Sequence, residues 1–377
     1  MTSQDIDPDQ AGQADAEPAN LRERLASGLA LIIGLFVFYT SFFGAFETLI
    51  QRAGFVAMIV TMALLLYPTG KNKRWRPLGL VLDIGMIAWV AVSAAYVILN
   101  FERIMVQLPF AEPIDVWLGF GTLLVILELA RRTASLVFPI IVGGMVAYAF
   151  FGDMIPGAFG HRGFDIYYIT EVMFLSDRGL WGMLVSIAST TLAAFILFGS
   201  LLLHTGAGQT FFDLSARAGG ASPGGAAKIA TIASGLFGSI SGSSVANIAT
   251  TGNFTIPLMK RLRYPAPFAG GVEAVASTGG QLAPPIMGTA AFVMAELVGV
   301  NYWTIVAVAF LPALLFYIGV FTTVHLIAKR TGLGQVDQSE LPDWRAALNW
   351  RRLAPIAAGI VGLGWGIWNG NSIQLTA

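Results

Sequence analysis

Residues 235–253, "GLFGSISGSSVANIATTGN", crowd glycines, hydroxyls and an amide into one short run, and a second such run, "STGGQLAPP", fills 277–285. Hydroxyl and carbonyl oxygens are ligands for hard cations. Breaks in a helix also create N-termini that offer positive dipole ends to an anion. Ser241, Gly242, Thr251, Ser277, Thr278 and Gly279 are therefore candidate metal-cation ligands. Ser243, Ser244, Asn247, Gly280, Gln281 and Pro284 are candidates for contacting an anionic ligand. The competing structural reading is close helix packing through Gly238-x-x-x-Gly242. A competing chemical reading is an intramembrane serine hydrolase built on Ser244 and His325, which needs its base within hydrogen-bond reach of the nucleophile. With no cysteine in the chain, disulfides and thiolate metal sites are excluded, and the three histidines, His161, His204 and His325, are scattered.

The elements that must hold these runs are membrane helices. The chain is 55% hydrophobic and 12% charged, against about 25% charged in soluble domains. Its net charge of zero argues against a nucleic-acid partner. Residues 1–25 read as an acidic, disordered tail carrying Asp5, Asp7, Asp9, Asp15 and Glu17, without the basic start of a signal peptide. A spanning helix needs about 20 mostly apolar residues, and the apolar runs that are candidates for the core of one lie roughly at 26–43, 54–67, 78–99, 116–130, 136–151, 184–203, 303–327 and 354–368. Arg22 and Arg24, the basic stretch 71–76, and Arg131 with Arg132 all fall on one side if the first four runs span. By the positive-inside rule that side, and the N-terminus, is cytoplasmic. The segment 157–182, with Tyr167, Tyr168 and Trp181, reads as an outer, partly interfacial loop.

The first polar run sits in an apolar segment, 229–259, with Lys228 before it and Lys260, Arg261 and Arg263 after it. Both ends carry the cytoplasmic signature, so the chain enters, turns at 241–244 and leaves by the same face. Each arm has roughly 14 residues, about 21 Å at 1.5 Å per residue, too short for a hydrocarbon core of about 30 Å. The second apolar segment, 266–300, is broken by the glycines and prolines of 277–285. The expected fold is thus an all-α polytopic membrane protein with a re-entrant helical hairpin and a discontinuous helix. Irregular backbone at that depth is tolerated only where it lines a cavity or is buried in protein, and paired breaks of this kind point to a transporter's ligand and ion site.

At these residues the chain resembles the fused membrane component of a tripartite ATP-independent periplasmic (TRAP) transporter of the TAXI-associated type. The stretches that carry the likeness are "LELARRTASLVFPI", "LHTGAGQTFFDLSARAGG", "GLFGSISGSSVANIATTGNFTIPLMKR" and "GGVEAVASTGGQLAPPIMGTAAFVMAEL". The resemblance implies a bacterial inner-membrane permease working by secondary transport. Its coupling ion would be Na+, with H+ as the alternative, and it would use no other cofactor. Its substrate would be an organic anion such as a carboxylate, delivered by a TAXI-type periplasmic binding protein. Residues 26–132 would correspond to the small permease subunit, and 133–377 to the first repeat of the large one. The family's second inverted repeat has no counterpart here, so the remaining half is expected in a separate chain or in a longer one. A non-transporting scaffold subunit is the third reading.

Among the remaining charges, Asp83 and Glu128 are expected to be structural, Glu128 because Arg131 and Arg132 follow at helical spacing. Glu273 is divided between supporting a polar network and a coupling role. Asn253-Phe254-Thr255 fits a glycosylation sequon, which its place in the hairpin makes fortuitous.

Overall fold

The computed structural model describes residues 21–69, 76–106 and 110–368. These are mostly helical, with no strand among the described residues, and seven helices are long and apolar enough to cross a membrane. The protein is an all-α polytopic membrane protein. Its chain divides into two compact units, 1–189 and 190–377.

The first unit contains α1 (Leu21–Phe43), α2 (Thr48–Leu66), α3 (Arg76–Leu99), α4 (Phe101–Met105), α5 (Pro113–Thr133), α6 (Val137–Phe151), α7 (Ile166–Thr170) and α8 (Met183–Ile187). The first five predicted spans fall on α1, α2, α3, α5 and α6. Pro113 at the first position and a reciprocal Glu112/Asp115 capping box start α5, satisfying N–H groups that have no partner within the helix. The expected tail lies outside the described residues as far as 20. Residues 21–25 are already helical, because Arg22 reaches back to Asp83 on α3 at 3.2 Å. The basic stretch at 71–76 lies outside the described residues as far as 75.

The segment 157–182 differs from the expected loop. It contains α7, continued by a π-helical turn at Glu171–Leu175, and Trp181 is fully buried rather than interfacial. Phe174, Leu175 and Trp181 join Leu49, Val97 and Leu118 in one apolar cluster, with Trp181 Nε1 donating to Phe174 O at 2.8 Å. Burial of so large a ring outweighs its preference for an interface, because its single N–H finds a partner. Asp83 accepts from Arg132 (2.8 Å) and the Thr69 hydroxyl (2.6 Å) as well as Arg22, while Glu128 holds Arg131 and Arg132.

The second unit contains α9 (Ala193–Leu202), α10 (Gly208–Gly219), α11 (Gly225–Ser241), α12 (Ser244–Arg261), α13 (Ala266–Gly279), α14 (Thr289–Val298), α15 (Tyr302–Thr331), α16 (Trp344–Ala347) and α17 (Trp350–Trp368). Helix α15 starts at an Asn301 cap, whose side chain accepts from Trp303 N, and ends at Gly332 with φ 68, the usual left-handed stop. The core gathers Ala226, Ala230, Met259, Ala269, Val272 and Val324, so that α11, α12, α13 and α15 close around small residues.

Candidate functional site

The hairpin turn consists of two residues. Gly242 (φ 63) ends α11, its N–H donating to Gly238 O at 2.9 Å. A left-handed residue there favours glycine, which has no Cβ to clash. Ser243 (φ −121, ψ 115) then caps α12, its Oγ accepting from Ala246 N at 3.3 Å. Ser241 is the last residue of α11, and Ser244 is the half-buried first residue of α12.

The break in the second segment lies later than 277–285. Helix α13 runs to Gly279, a 3-10 turn spans Gly280–Leu282, and 283–288 is non-helical before α14. Ser277 and Thr278 keep the helix by donating four residues back, to Glu273 Oε1 (3.0 Å) and Ala274 O (2.7 Å), while the two prolines that cannot continue it come later. The Pro284–Pro285 peptide is cis. The irregular stretch is tied to the hairpin by Ile286 N donating to Ser239 O at 3.0 Å, and the Tyr302 hydroxyl donates to Pro285 O and Ile286 O.

Hairpin and break cross at two glycines. A Cβ placed on Gly238 would lie 2.3 Å from Gly280 Cα, and one on Gly280 would lie 2.5 Å from Gly238 Cα. Asn247 is fully buried beside this crossing, its Nδ2 donating to Ser234 O at 2.8 Å and Ser277 O at 3.5 Å. The amide thus ties both arms of the hairpin to α13. The crossing also brings the N-terminus of α12 beside that of α14: a Cβ on Gly242 would lie 2.3 Å from Met287 O, and one on Gly288 would lie 3.6 Å from Gly242 O. Ser243, Ser244 and the exposed Gln281, whose backbone O accepts from Gly288 N at 2.9 Å, gather at these two ends.

The other candidates separate in space. Thr251 and Ser277 are buried and meet at Glu273, which is 1% exposed. Ser234 and Thr255, which the sequence reading passed over, join them: Ser234 Oγ and Thr251 Oγ1 donate to Glu273 Oε1, and Thr255 Oγ1 donates to Oε2. Helical spacing 251/255 and 273/277 was the available signal. Thr278 is exposed and turned to its own backbone. Gly279 and Gly280 are buried, and Pro284 lines a separate cavity of about 350 Å³ with Gly235, Ser239 and Tyr317. A cavity of about 580 Å³ flanks the second arm, lined among others by His204, Gln209, Phe212, Phe237, Thr250 and Thr251.

His325 does not serve Ser244. Its Nδ1 accepts from Lys228 Nζ at 2.8 Å. Lys228 stands in the first turn of α11 and Ser244 lies just past its far end, roughly 20 Å away along the axis at 1.5 Å per residue.

Residues 121–368 match the family described as tripartite ATP-independent periplasmic transporter, DctM component. The chain belongs to that family. The matched DctM region contains both the hairpin and the broken helix. Among curated relatives, the C4-dicarboxylate TRAP transporter large permease protein DctM of Pseudomonas aeruginosa is 29% identical over 153 residues, 41% of this chain and 35% of that protein. The 2,3-diketo-L-gulonate TRAP transporter large permease protein YiaN of Escherichia coli is 31% identical over 100 residues, 26% of this chain and 23% of that protein. The match spans about a third of the first relative and about a quarter of the second. DctM proteins are transporter permeases, not an enzyme family.

Proposed function

We propose that this DctM chain is the permease part of a secondary importer, driven by a cation gradient and carrying an organic anion such as a carboxylate. The observation that carries the reading is the crossing at Gly238 and Gly280, which brings two helix N-termini together at a polar tip. Their dipoles and N–H groups favour an anionic group, with Ser243, Ser244 and Gln281 as its side-chain contacts. Asn247 and Gly280 position that tip from behind. The oxygen-rich donor set is that of a hard cation, Na+ in the first instance and H+ as the alternative.

In this reading the hairpin re-enters the bacterial inner membrane from the cytoplasmic side, where the N-terminus also lies. Residues 26–132 act as the fused small permease, a TAXI-type periplasmic binding protein delivers the substrate, and the second repeat of the large permease completes the site from elsewhere. Uptake by proteoliposomes containing the complete permease, with the cognate binding protein outside, tests it. Organic-anion uptake that needs a sodium gradient is expected. Uptake that persists unchanged without sodium defeats the ion assignment, and an absence of organic-anion uptake defeats the function.

A further inference from the structure

Lys228, in the first turn of α11, is a buried cation that no acid neutralises. It is 2% exposed, and its Nζ donates to Ser222 Oγ at 2.7 Å and to His325 Nδ1 at 2.8 Å. The ring of Phe321 lies beneath it, with the centroid 4.8 Å from Nζ. None of these partners carries a negative charge. The charged group that acts on Lys228 is Lys329, a second cation. Among the described residues no Asp or Glu forms an ion pair with either lysine. An ammonium taken out of water without a counter-charge is strongly disfavoured, and buried charges are normally paired.

The neighbours of Lys228 add donors and no acceptor for an anion to compete with. Because His325 Nδ1 accepts from Lys228, the proton of the neutral imidazole sits on Nε2. That nitrogen has no hydrogen-bond partner among the described residues. Lys329 follows His325 by four residues on α15, on the same face of the helix, and is exposed. Two ammoniums and an imidazole N–H, with no carboxylate among them, form a donor set for a phosphate.

An apolar groove of about 350 Å³ leads away from this cluster between α11 and α15. Phe321 belongs to both: its ring underlies Lys228 and lines the near end of the groove. Leu236, Leu314 and Phe310 line it further on, and Tyr317 is held in place by its hydroxyl, which donates to Ala276 O at 3.1 Å. From Phe321 to Phe310 the groove follows α15 for roughly 16 Å at 1.5 Å per residue. That is about half of a 30 Å hydrocarbon core, the depth of one leaflet.

We propose that the groove holds an acyl chain of one anionic phospholipid, whose phosphate sits against His325 Nε2 and Lys329 and supplies the counter-charge of Lys228. The cationic end and the apolar length are joined in the order in which a phospholipid presents its headgroup and its chain. A choline or ethanolamine headgroup would bring its own cation up to two lysines; a phosphatidylglycerol headgroup brings none. The far end of the groove reaches Ser239 and Pro284, where Ser239 O accepts from Ile286 N and ties the hairpin to the broken helix. A chain seated there supports the crossing from the lipid side. The proposal does not depend on the organic-anion reading. Only the choice of leaflet, the cytoplasmic one, follows from the orientation proposed above.

The test is thermal unfolding of the detergent-purified full chain, followed by tryptophan fluorescence, with dioleoylphosphatidylglycerol, dioleoylphosphatidylcholine or inorganic phosphate added at one pH and ionic strength. Phosphatidylglycerol at a hundredfold excess over its dissociation constant is expected to raise Tm by roughly 5–10 °C, saturably. Phosphatidylcholine should need a roughly tenfold higher concentration, and inorganic phosphate should give no rise. Lys329→Gln, at an exposed position, is expected to raise the phosphatidylglycerol midpoint roughly fivefold and to leave that of phosphatidylcholine unchanged. Leu314→Trp, which fills the groove from its exposed wall, is expected to weaken the response to both lipids. Equal responses to the two lipids, with Lys329→Gln silent, overturn the proposal by showing unselective lipid contact. A rise with inorganic phosphate equal to that with phosphatidylglycerol overturns it in favour of a free-anion site. A phosphatidylglycerol response that Leu314→Trp leaves intact removes the chain from the groove. Loss of the response in the complete permease, purified in the same way, would show that protein covers the groove and would overturn the proposal as well.

Discussion

Gly238→Ala probes the crossing on which the site depends. The added methyl would lie 2.3 Å from Gly280 Cα, 3.1 Å from Gly280 C and 2.9 Å from Asn247 Nδ2. Two of these neighbours are backbone, so the helices themselves must part. Forcing a methylene into a packed core costs roughly 1–3 kcal/mol, and a backbone obstacle puts this position near the upper end. Alanine in place of glycine inside a helix returns about 1 kcal/mol. The net loss is therefore about 2 kcal/mol, or about 4–8 °C in Tm for a unit of this size. The control is Gly271→Ala on α13, where nothing lies within 4 Å of the added carbon; it is expected to be neutral or slightly stabilising. Thermal unfolding in detergent reads both. Gly238→Ala melting at or above Gly271→Ala would refute the close crossing, whatever its effect on transport.

In the first unit, Asp83→Ala is expected to cost about 3–5 kcal/mol, because it strands Arg22 and Arg132 beside a buried gap, whereas Arg131→Ala, on the more exposed side of Glu128, should cost under about 1 kcal/mol; chemical or thermal unfolding distinguishes them. Tyr264 is buried between α12 and α13 and donates to Gly334 O at 3.0 Å, and burial pushes its hydroxyl up to about 12. Its neutral form is the one the fold favours, so its contribution is complete below about pH 10 and is lost as pH rises towards 12; Tyr264→Phe should flatten the fall in unfolding free energy over that interval by about 2–3 kcal/mol. Ser243→Ala should lower stability by about 1 kcal/mol through loss of the α12 cap, and Asn247→Ala by more, since it leaves the buried Ser234 carbonyl without its amide donor.

Much of the architecture was legible because apolar runs of spanning length and basic flanks are local signals. The helix ends differed where a tertiary partner decided them. Arg22 extends α1 by pairing with Asp83, and Trp181 enters the core because Phe174 O accepts its N–H. The break appeared three residues later than the glycines suggested, since two glycines do not end a helix whose serine and threonine side chains bond back along it. The hairpin turn was readable from the basic residues at both ends of 229–259 together with the run 241–244, in which Gly242 takes the left-handed conformation. The hydroxyl shell of Glu273 was not, because its members come from α11, α12 and α13 and only packing brings them together. Ser234 and Thr255 lacked the glycine-rich context that drew attention to their neighbours.

If 225–261 dips into the membrane and returns, its two flanks lie on one face. The chain has no cysteine, so single cysteines can be placed at the exposed positions Ala221 and Arg263, before and after the hairpin, without removing any. An impermeant maleimide applied to oriented membrane vesicles should label Ala221→Cys and Arg263→Cys from the same, cytoplasmic face. Labelling of the two from opposite faces would mean that the segment crosses the membrane, and would contradict the hairpin and the site built on it.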